Sequence, residues 1–76
     1  MRETIKQRLN DQIDSVHLDV DLQGNHCTLV IVSDAFEGLG PVKRQQAVYA
    51  CLQDLIASGE LHAINITALT PSQWLS

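Results

Sequence analysis

Apolar side chains recur along the first segment of the chain at the spacing of a helix. Ile5, Leu9 and Ile13 stand four residues apart, and polar residues fill most of the positions between them. This spacing places the three side chains on one stripe of an amphipathic helix. We therefore predict a helix from about Glu3 to Asp14.

The next segment changes to strict alternation of apolar and polar residues. Its apolar positions are Val16, Leu18, Val20 and Leu22, and its polar ones are His17, Asp19 and Asp21. A period of two with one charged face predicts a half-buried strand, on which His17 is solvated. Gln23-Gly24-Asn25 has the composition of a tight turn. The run Cys27–Val32 that follows is apolar on nearly both faces, so we expect a central second strand antiparallel to the first.

Glycines and prolines mark the ends of the remaining elements. Residues 33–40 predict a short helical turn, and Pro41 then suits the first position of a long helix that Gly59 is placed to end. The buried stripe of this helix is expected at Val48, Leu52, Leu55 and Ile56. A third strand is predicted from Leu61 to about Ala68. The spacing of Thr70 and Gln73 then indicates a capping box at the start of a last short helix.

Together these elements predict one α+β domain over residues 1–76. The connection from the second strand to the third passes through helices, so these two strands are expected to be parallel. A mixed three-stranded sheet backed by helices on one face, with a short C-terminal helix, is the simplest arrangement. A chain of 76 residues is too small for a deep enclosed pocket, so a site is expected at the surface or at an interface.

Composition narrows the class of function. The net charge of −4 argues against nonspecific wrapping of nucleic acid. No apolar run approaches the ~20 residues of a membrane span, and the first residues lack the apolar core of a signal peptide, so we expect a cytoplasmic protein. No serine has a plausible catalytic partner, and no glycine-rich phosphate loop follows a strand. We predict that the chain is not an enzyme.

Two histidines are the strongest candidates for chemistry. His26 opens the second predicted strand and His62 the third. If these strands are parallel neighbours, both imidazoles lie at one end of the sheet, where they can bind a transition metal or an iron–sulfur cluster. Two donors do not complete a tetrahedral site, so the missing ligands must come from another molecule. The alternative is that His62 is a strand-edge residue without a ligand.

The cysteines and the tryptophan have plainer interpretations. Cys27 and Cys51 share no CxxC spacing, and two lone thiols in a cytoplasmic protein are typical of core residues. Alternation makes Cys27 core-facing, which leaves it a lesser candidate for a metal ligand. Trp74 is expected to fasten the last helix to the rest of the domain, with a binding role as the alternative.

Lys43 and Arg44 form an isolated basic pair in the first turn of the long predicted helix. One interpretation is a solvated first turn. The other is contact with nucleic acid, because basic side chains and free N–H groups at a helix start together attract phosphates.

Four ordered blocks of sequence go beyond these local patterns. They are Phe36-Glu37-Gly38, Val42-Lys43-Arg44-Gln45-Gln46-Ala47-Val48-Tyr49, Leu61-His62-Ala63 and Thr70-Pro71-Ser72-Gln73-Trp74. In this order they resemble the BolA family, and most closely its bacterial IbaG (YrbA-like) branch. The resemblance implies an α-β-β-α-α-β fold similar to class II KH domains. It also implies a monothiol glutaredoxin as partner, with a [2Fe-2S] cluster shared with the glutaredoxin and glutathione.

The resemblance assigns residues as well. The family's C-terminal histidine falls on His62 and its loop ligand on His26, whereas Cys27 takes the place of an apolar residue. The GXXG loop of KH domains is absent, because residues 38–41 have a different spacing, so RNA binding in the KH manner is not expected. The leading hypothesis is an iron–sulfur adaptor that is a monomer or weak homodimer when free. The alternatives are a DNA-binding regulator that uses Lys43 and Arg44, and an interaction module without a metal.

Overall fold

The computed structural model describes residues 1–76, and its elements follow the predicted order. They are helix α1 (Arg2–Gln12), strands β1 (His17–Gln23) and β2 (His26–Val32), a 3₁₀ turn (Asp34–Phe36), helix α2 (Pro41–Ala57), strand β3 (Ala63–Leu69) and helix α3 (Pro71–Leu75). None of the helices combines the length and the apolar character needed to cross a membrane.

The three strands form one mixed sheet in the order β1-β2-β3, with β2 in the centre as predicted. β1 and β2 are antiparallel and are joined by the two-residue turn Gly24-Asn25. Gly24 has φ +61°, which suits the first position of a type II′ turn, and Asn25 does not need a positive φ. β2 and β3 are parallel, with His26 in register with Ala63. The predicted sheet topology is therefore confirmed.

α1 and α2 pack on one face of the sheet and enclose the hydrophobic core. The side chains of this core are Ile5, Leu9, Ile13, Val20, Cys27, Leu29, Ile31, Phe36, Val48, Leu52, Leu55 and Leu61. Of the predicted stripe on α2, three residues are buried, and Ile56 is partly buried against the core. Phe36 brings the 3₁₀ turn into the core, so the loop between β2 and α2 is fixed by apolar packing.

Two predicted boundaries were wrong by about two residues. α1 ends at Gln12 rather than Asp14, because Ile13 takes an extended conformation (φ −130°, ψ 121°) while its side chain stays in the core. β3 begins at Ala63 rather than Leu61. Leu61 is only 2% exposed and its N–H donates to the carbonyl oxygen of Leu55, so it ends the helical region instead of starting the strand.

The other face of the sheet is open except at one end, where α3 reaches it. The rings of His17 and Trp74 stack with centroids 4.7 Å apart and planes inclined by 19°. Val32, beside His17 in the register, is fully buried although it lies outside the core cluster. The predicted fastening of α3 by Trp74 is confirmed. The expectations that His17 is solvated and that every helix lies on one face were wrong, because this stack covers the end of the open face.

Side chains from the two long helices reach the outer edges of the sheet. On β1, the Nε of Arg2 donates to the carbonyl oxygen of Val20 at 2.8 Å. On β3, Gln45 and Arg44 donate to the carbonyl oxygens of Ile66 and Ala68, both at 3.0 Å. The outer edge of β3 is thus closed at two successive outward carbonyls, and that of β1 at one.

Replacement of Leu52 by alanine tests the core. Leu52 is 0% exposed, so Leu52→Ala removes apolar contacts and leaves a cavity. We expect a loss of about 2–5 kcal/mol in the free energy of unfolding, measured by urea denaturation. Val42→Ala, at a position 68% exposed on the same helix, should change it by less than about 0.5 kcal/mol. Equal effects of the two changes would contradict the assignment of the core.

Candidate functional site

The parallel pairing of β2 and β3 brings His26 and His62 to the same end of the sheet, as predicted. The carbonyl oxygen of Asn25, the residue before His26, accepts from the N–H of His62 at 3.0 Å and from that of Ala63 at 3.4 Å. Both histidine side chains are exposed. We call this pair, His26 and His62, the histidine rim. Its role as a ligand site stays a prediction.

The two imidazoles of the histidine rim lie on different sides of this end of the sheet. His26 lines a polar cavity of about 350 Å³ on the open face, together with Asp21, Gln23, Thr28 and Asn65. His62 lies beside Gly59, just after the end of α2. The Nε2 of His62 is 3.9 Å from the position that a Cβ atom would take on Gly59. A ligand that reaches both imidazoles therefore has to lie across this end of the sheet, between its two faces.

The chain supplies few further donors for a metal. Across all 76 residues, no group of three or more histidine, cysteine, aspartate or glutamate side chains is arranged to hold a metal ion. Structural metal sites of the transition metals need about four donors. A metal or cluster bound at the histidine rim therefore requires ligands from a second molecule.

The two cysteines are free thiols. Cys27 is a core residue, as predicted, whereas Cys51 is only partly buried against the core. Cys27 is 0% exposed, and its pKa is raised first by burial and then by the negative charge of Asp21. Burial also raises the pKa of Cys51, whose thiol donates to the carbonyl oxygen of Ala47 at 3.4 Å. Because a thiolate is the form that binds metals, Cys27 is a poor donor while the core is intact.

Arg44 serves inside the fold, whereas Lys43 is exposed. The guanidinium of Arg44 donates to the carbonyl oxygens of Leu39 at 2.9 Å and Ala68 at 3.0 Å, and to Oε1 of Gln73 at 2.7 Å. Gln73 is in turn part of the capping box that starts α3. Arg44 thus joins the loop before α2 to the end of β3 and to α3. Nothing in the sequence indicated this role, because its partners lie far away along the chain.

The largest groove lies away from the histidine rim, between α1 and α2. It has a volume of about 610 Å³ and is crossed by the ion pair of Arg8 with Asp54. Cys51 lies along its wall. This groove contains neither of the histidines, so it does not enlarge the candidate site.

Comparison with known proteins gives consistent matches. The family model described as BolA-like protein matches residues 4–73. The acid stress protein IbaG of Escherichia coli is 39% identical over 62 residues, which cover 82% of this chain and 71% of that protein. A protein from the rpoN-murA intergenic region of Acinetobacter guillouiae is 43% identical over 72 residues, covering 95% of this chain and 87% of its own length.

Solved structures give the same result. The BolA domain of SufE1 from Arabidopsis thaliana superimposes with a TM-score of 0.87 at 38% identity, covering 95% of this chain and 93% of that one. BolA1 from Arabidopsis thaliana has a TM-score of 0.87 at 30% identity, with the same two shares covered. The three-stranded mixed sheet with its helices is therefore an arrangement found in known BolA structures.

Replacement of Arg44 tests its internal role. Arg44→Ala leaves the carbonyls of Leu39 and Ala68 without their donor, and we expect a loss of about 1.5–3 kcal/mol in the free energy of unfolding. Lys43→Ala is the matched control and should change it by less than about 0.5 kcal/mol. Urea denaturation measures both. A loss no larger for Arg44 than for Lys43 would mean that these hydrogen bonds contribute nothing.

The raised thiol pKa values predict the pH dependence of alkylation. In the folded protein, iodoacetamide should modify Cys27 and Cys51 with a pH midpoint above the ordinary value of about 8.5, and in urea with a midpoint near it. Mass spectrometry of the single variants Cys27→Ser and Cys51→Ser separates the two rates. The stability from the protonated thiols is complete below about pH 8.5 and is lost as the pH rises through the raised pKa. A midpoint below 8.5 in the folded protein would contradict the burial argument.

Proposed function

The chain belongs to the BolA-like protein family, and we propose that it is an iron–sulfur adaptor, which pairs with a monothiol glutaredoxin to share or transfer a [2Fe-2S] cluster. In this proposal the chain is not an enzyme and acts in the cytoplasm. The observation that carries it is the meeting of two exposed histidines at the histidine rim, with no third donor from the same chain.

The relatives support an iron–sulfur role. The SufE-like protein 1 of Arabidopsis thaliana, described as chloroplastic/mitochondrial, is 37% identical over 87 residues, which cover 91% of this chain but 23% of that protein. In that relative, the matching part is one segment of a much longer chain. A domain of this kind is thus found joined to a SufE-like protein, which agrees with a role beside iron–sulfur chemistry.

His62 is the main ligand in our proposal and His26 the second. Both are exposed, and the hydrogen bond of His62 to Asn25 fixes the backbone of one histidine beside the other. The cysteine of the glutaredoxin and the thiolate of glutathione supply the remaining donors. Histidine ligation in place of thiolate raises the potential of such a cluster, which suits a cluster that is handed on. Cys27 is the lesser candidate and takes no part while it stays in the core.

We also infer a class II KH-like topology, in which the 3₁₀ turn at Asp34–Phe36 counts as the first of two consecutive helices. The DNA-binding alternative now has less support. Arg44 is engaged by three internal acceptors, so contact with phosphates would fall to Lys43 alone in this helical turn.

Replacement of each histidine tests the cluster proposal. The chain is mixed with a monothiol glutaredoxin, glutathione, iron and sulfide without oxygen, and the complex is followed by visible circular dichroism and size-exclusion chromatography. His62→Ala should abolish the visible signal of the mixed complex, and His26→Ala should weaken it. His17→Gln is the matched control and should leave the signal unchanged. His17 pairs with Val32, at the opposite end of the sheet from His26. An unchanged signal with His62→Ala would rule out the ligand assignment.

A further inference from the structure

The outer edge of β1 presents a row of backbone groups that bond to no other strand. The carbonyl oxygen of Val20 accepts from Arg2, which lies outside the sheet, so this carbonyl points away from β2. Because strand residues alternate, the N–H and C=O groups of Leu18 and Leu22 also point outward. No other protein group bonds to the outward groups of these three residues. Unpaired groups of this kind are a template for another strand.

The opposite edge of the sheet is held at two carbonyl oxygens instead of one. There Gln45 and Arg44 occupy the outward carbonyl oxygens of Ile66 and Ala68, and both side chains come from the first turns of α2. A strand that paired with β3 would have to break both of these contacts. On β1 only the carbonyl oxygen of Val20 is held, by Arg2, and Val20 is 2% exposed. This edge therefore becomes available to another strand when Arg2 is displaced.

The charges beside the outer edge of β1 define the kind of segment that fits it. Asp19 and Asp21 are exposed on the open face of β1, and neither forms an ion pair, since the single ion pair of the structure joins Arg8 to Asp54. No lysine or arginine stands in any of the three strands. The outer edge of β1 is thus flanked by two negative charges, and the basic side chain that stands at this edge is Arg2, on the carbonyl oxygen of Val20.

These charges disfavour a second copy of the chain at the same edge. Antiparallel pairing of two β1 strands about Val20 sets Asp19 of each copy directly opposite Asp21 of the other. Like charges at directly opposite positions destabilise a strand pair. A segment of opposite charge places lysine or arginine at these positions instead.

We propose that the outer edge of β1 is a docking site for an extended segment of another protein with lysine or arginine at alternate positions. The segment adds a fourth strand to the sheet: its backbone bonds to Leu18, Val20 and Leu22, and its basic side chains lie beside Asp19 and Asp21. Arg2 occupies one acceptor that the segment needs and is displaced when it binds. This site does not depend on the proposed cluster.

A synthetic peptide of eight alternating lysine and valine residues, blocked at both ends, provides the test. Titrated into ¹⁵N-labelled protein at low salt, it should shift the amide signals of Leu18, Val20 and Leu22 and slow their hydrogen exchange. The amides of Ile64, Ile66 and Ala68, on the opposite edge, should not change. A glutamate–valine peptide should not bind, and neither should the lysine–valine peptide with N-methylated valines, which cannot donate to the edge.

Variants of the protein separate charge from backbone pairing. Asp19→Asn with Asp21→Asn should weaken binding of the lysine–valine peptide by about two- to thirtyfold and reduce its salt dependence. Asp34→Asn, at an exposed acid outside the sheet, should leave binding unchanged. Arg2→Ala should strengthen it.

Three results would overturn the proposal. They are the absence of peptide binding at low salt, protection at the edge of β3 in place of β1, and protection of β1 that rises with protein concentration without peptide. The last result would identify a second copy of the chain as the occupant. Replacement of His26 or His62 should leave the peptide response intact, so failure of this proposal and failure of the cluster proposal can be told apart.

Discussion

The crossover from β2 to β3 is the constraint on which the candidate site depends. A parallel pair needs a long connection, and the 17 residues of α2 provide it while covering the core. The crossover returns the chain to the end of the sheet where β2 began. For this reason His62 meets the backbone before His26, although the two residues are far apart in sequence. A hairpin between the same strands would have placed His62 at the opposite end.

α2 also fixes both ends of β3. At its start, buried Leu61 bonds to the last turn of the helix, so the chain enters the strand only after this anchor. At the other end, Arg44 and Gln45 hold the outward carbonyls of the strand. The position of His62 is therefore set by apolar burial on one side and by the hydrogen bond to Asn25 on the other. At the outer edge of β1 the corresponding contact comes from α1, whose Arg2 holds the carbonyl oxygen of Val20.

The elements that sequence reasoning predicted correctly are those with a local physical cause. Pro41 and Gly59 bound α2 because one lacks an N–H and the other adopts φ +82°. The start of β3 was missed because Leu61 continues an alternating pattern, and alternation does not distinguish a core anchor from a strand residue. The stack of His17 on Trp74 and the contacts of Arg44 had no local signal. The placement of both histidines at the same end of the sheet was predictable because it follows from topology alone.

The small size of the chain explains why its candidate site is incomplete. A domain of 76 residues buries a limited surface, and here the two long helices and one face of the sheet are used to form a single core. Cys27 is part of that core, where burial keeps its thiol protonated. The donors left at the surface near the edge are imidazoles on two sides of a sheet, which cannot enclose a metal by themselves. A cluster held there would stay exposed toward its other ligands, and this exposure is what transfer between two proteins requires.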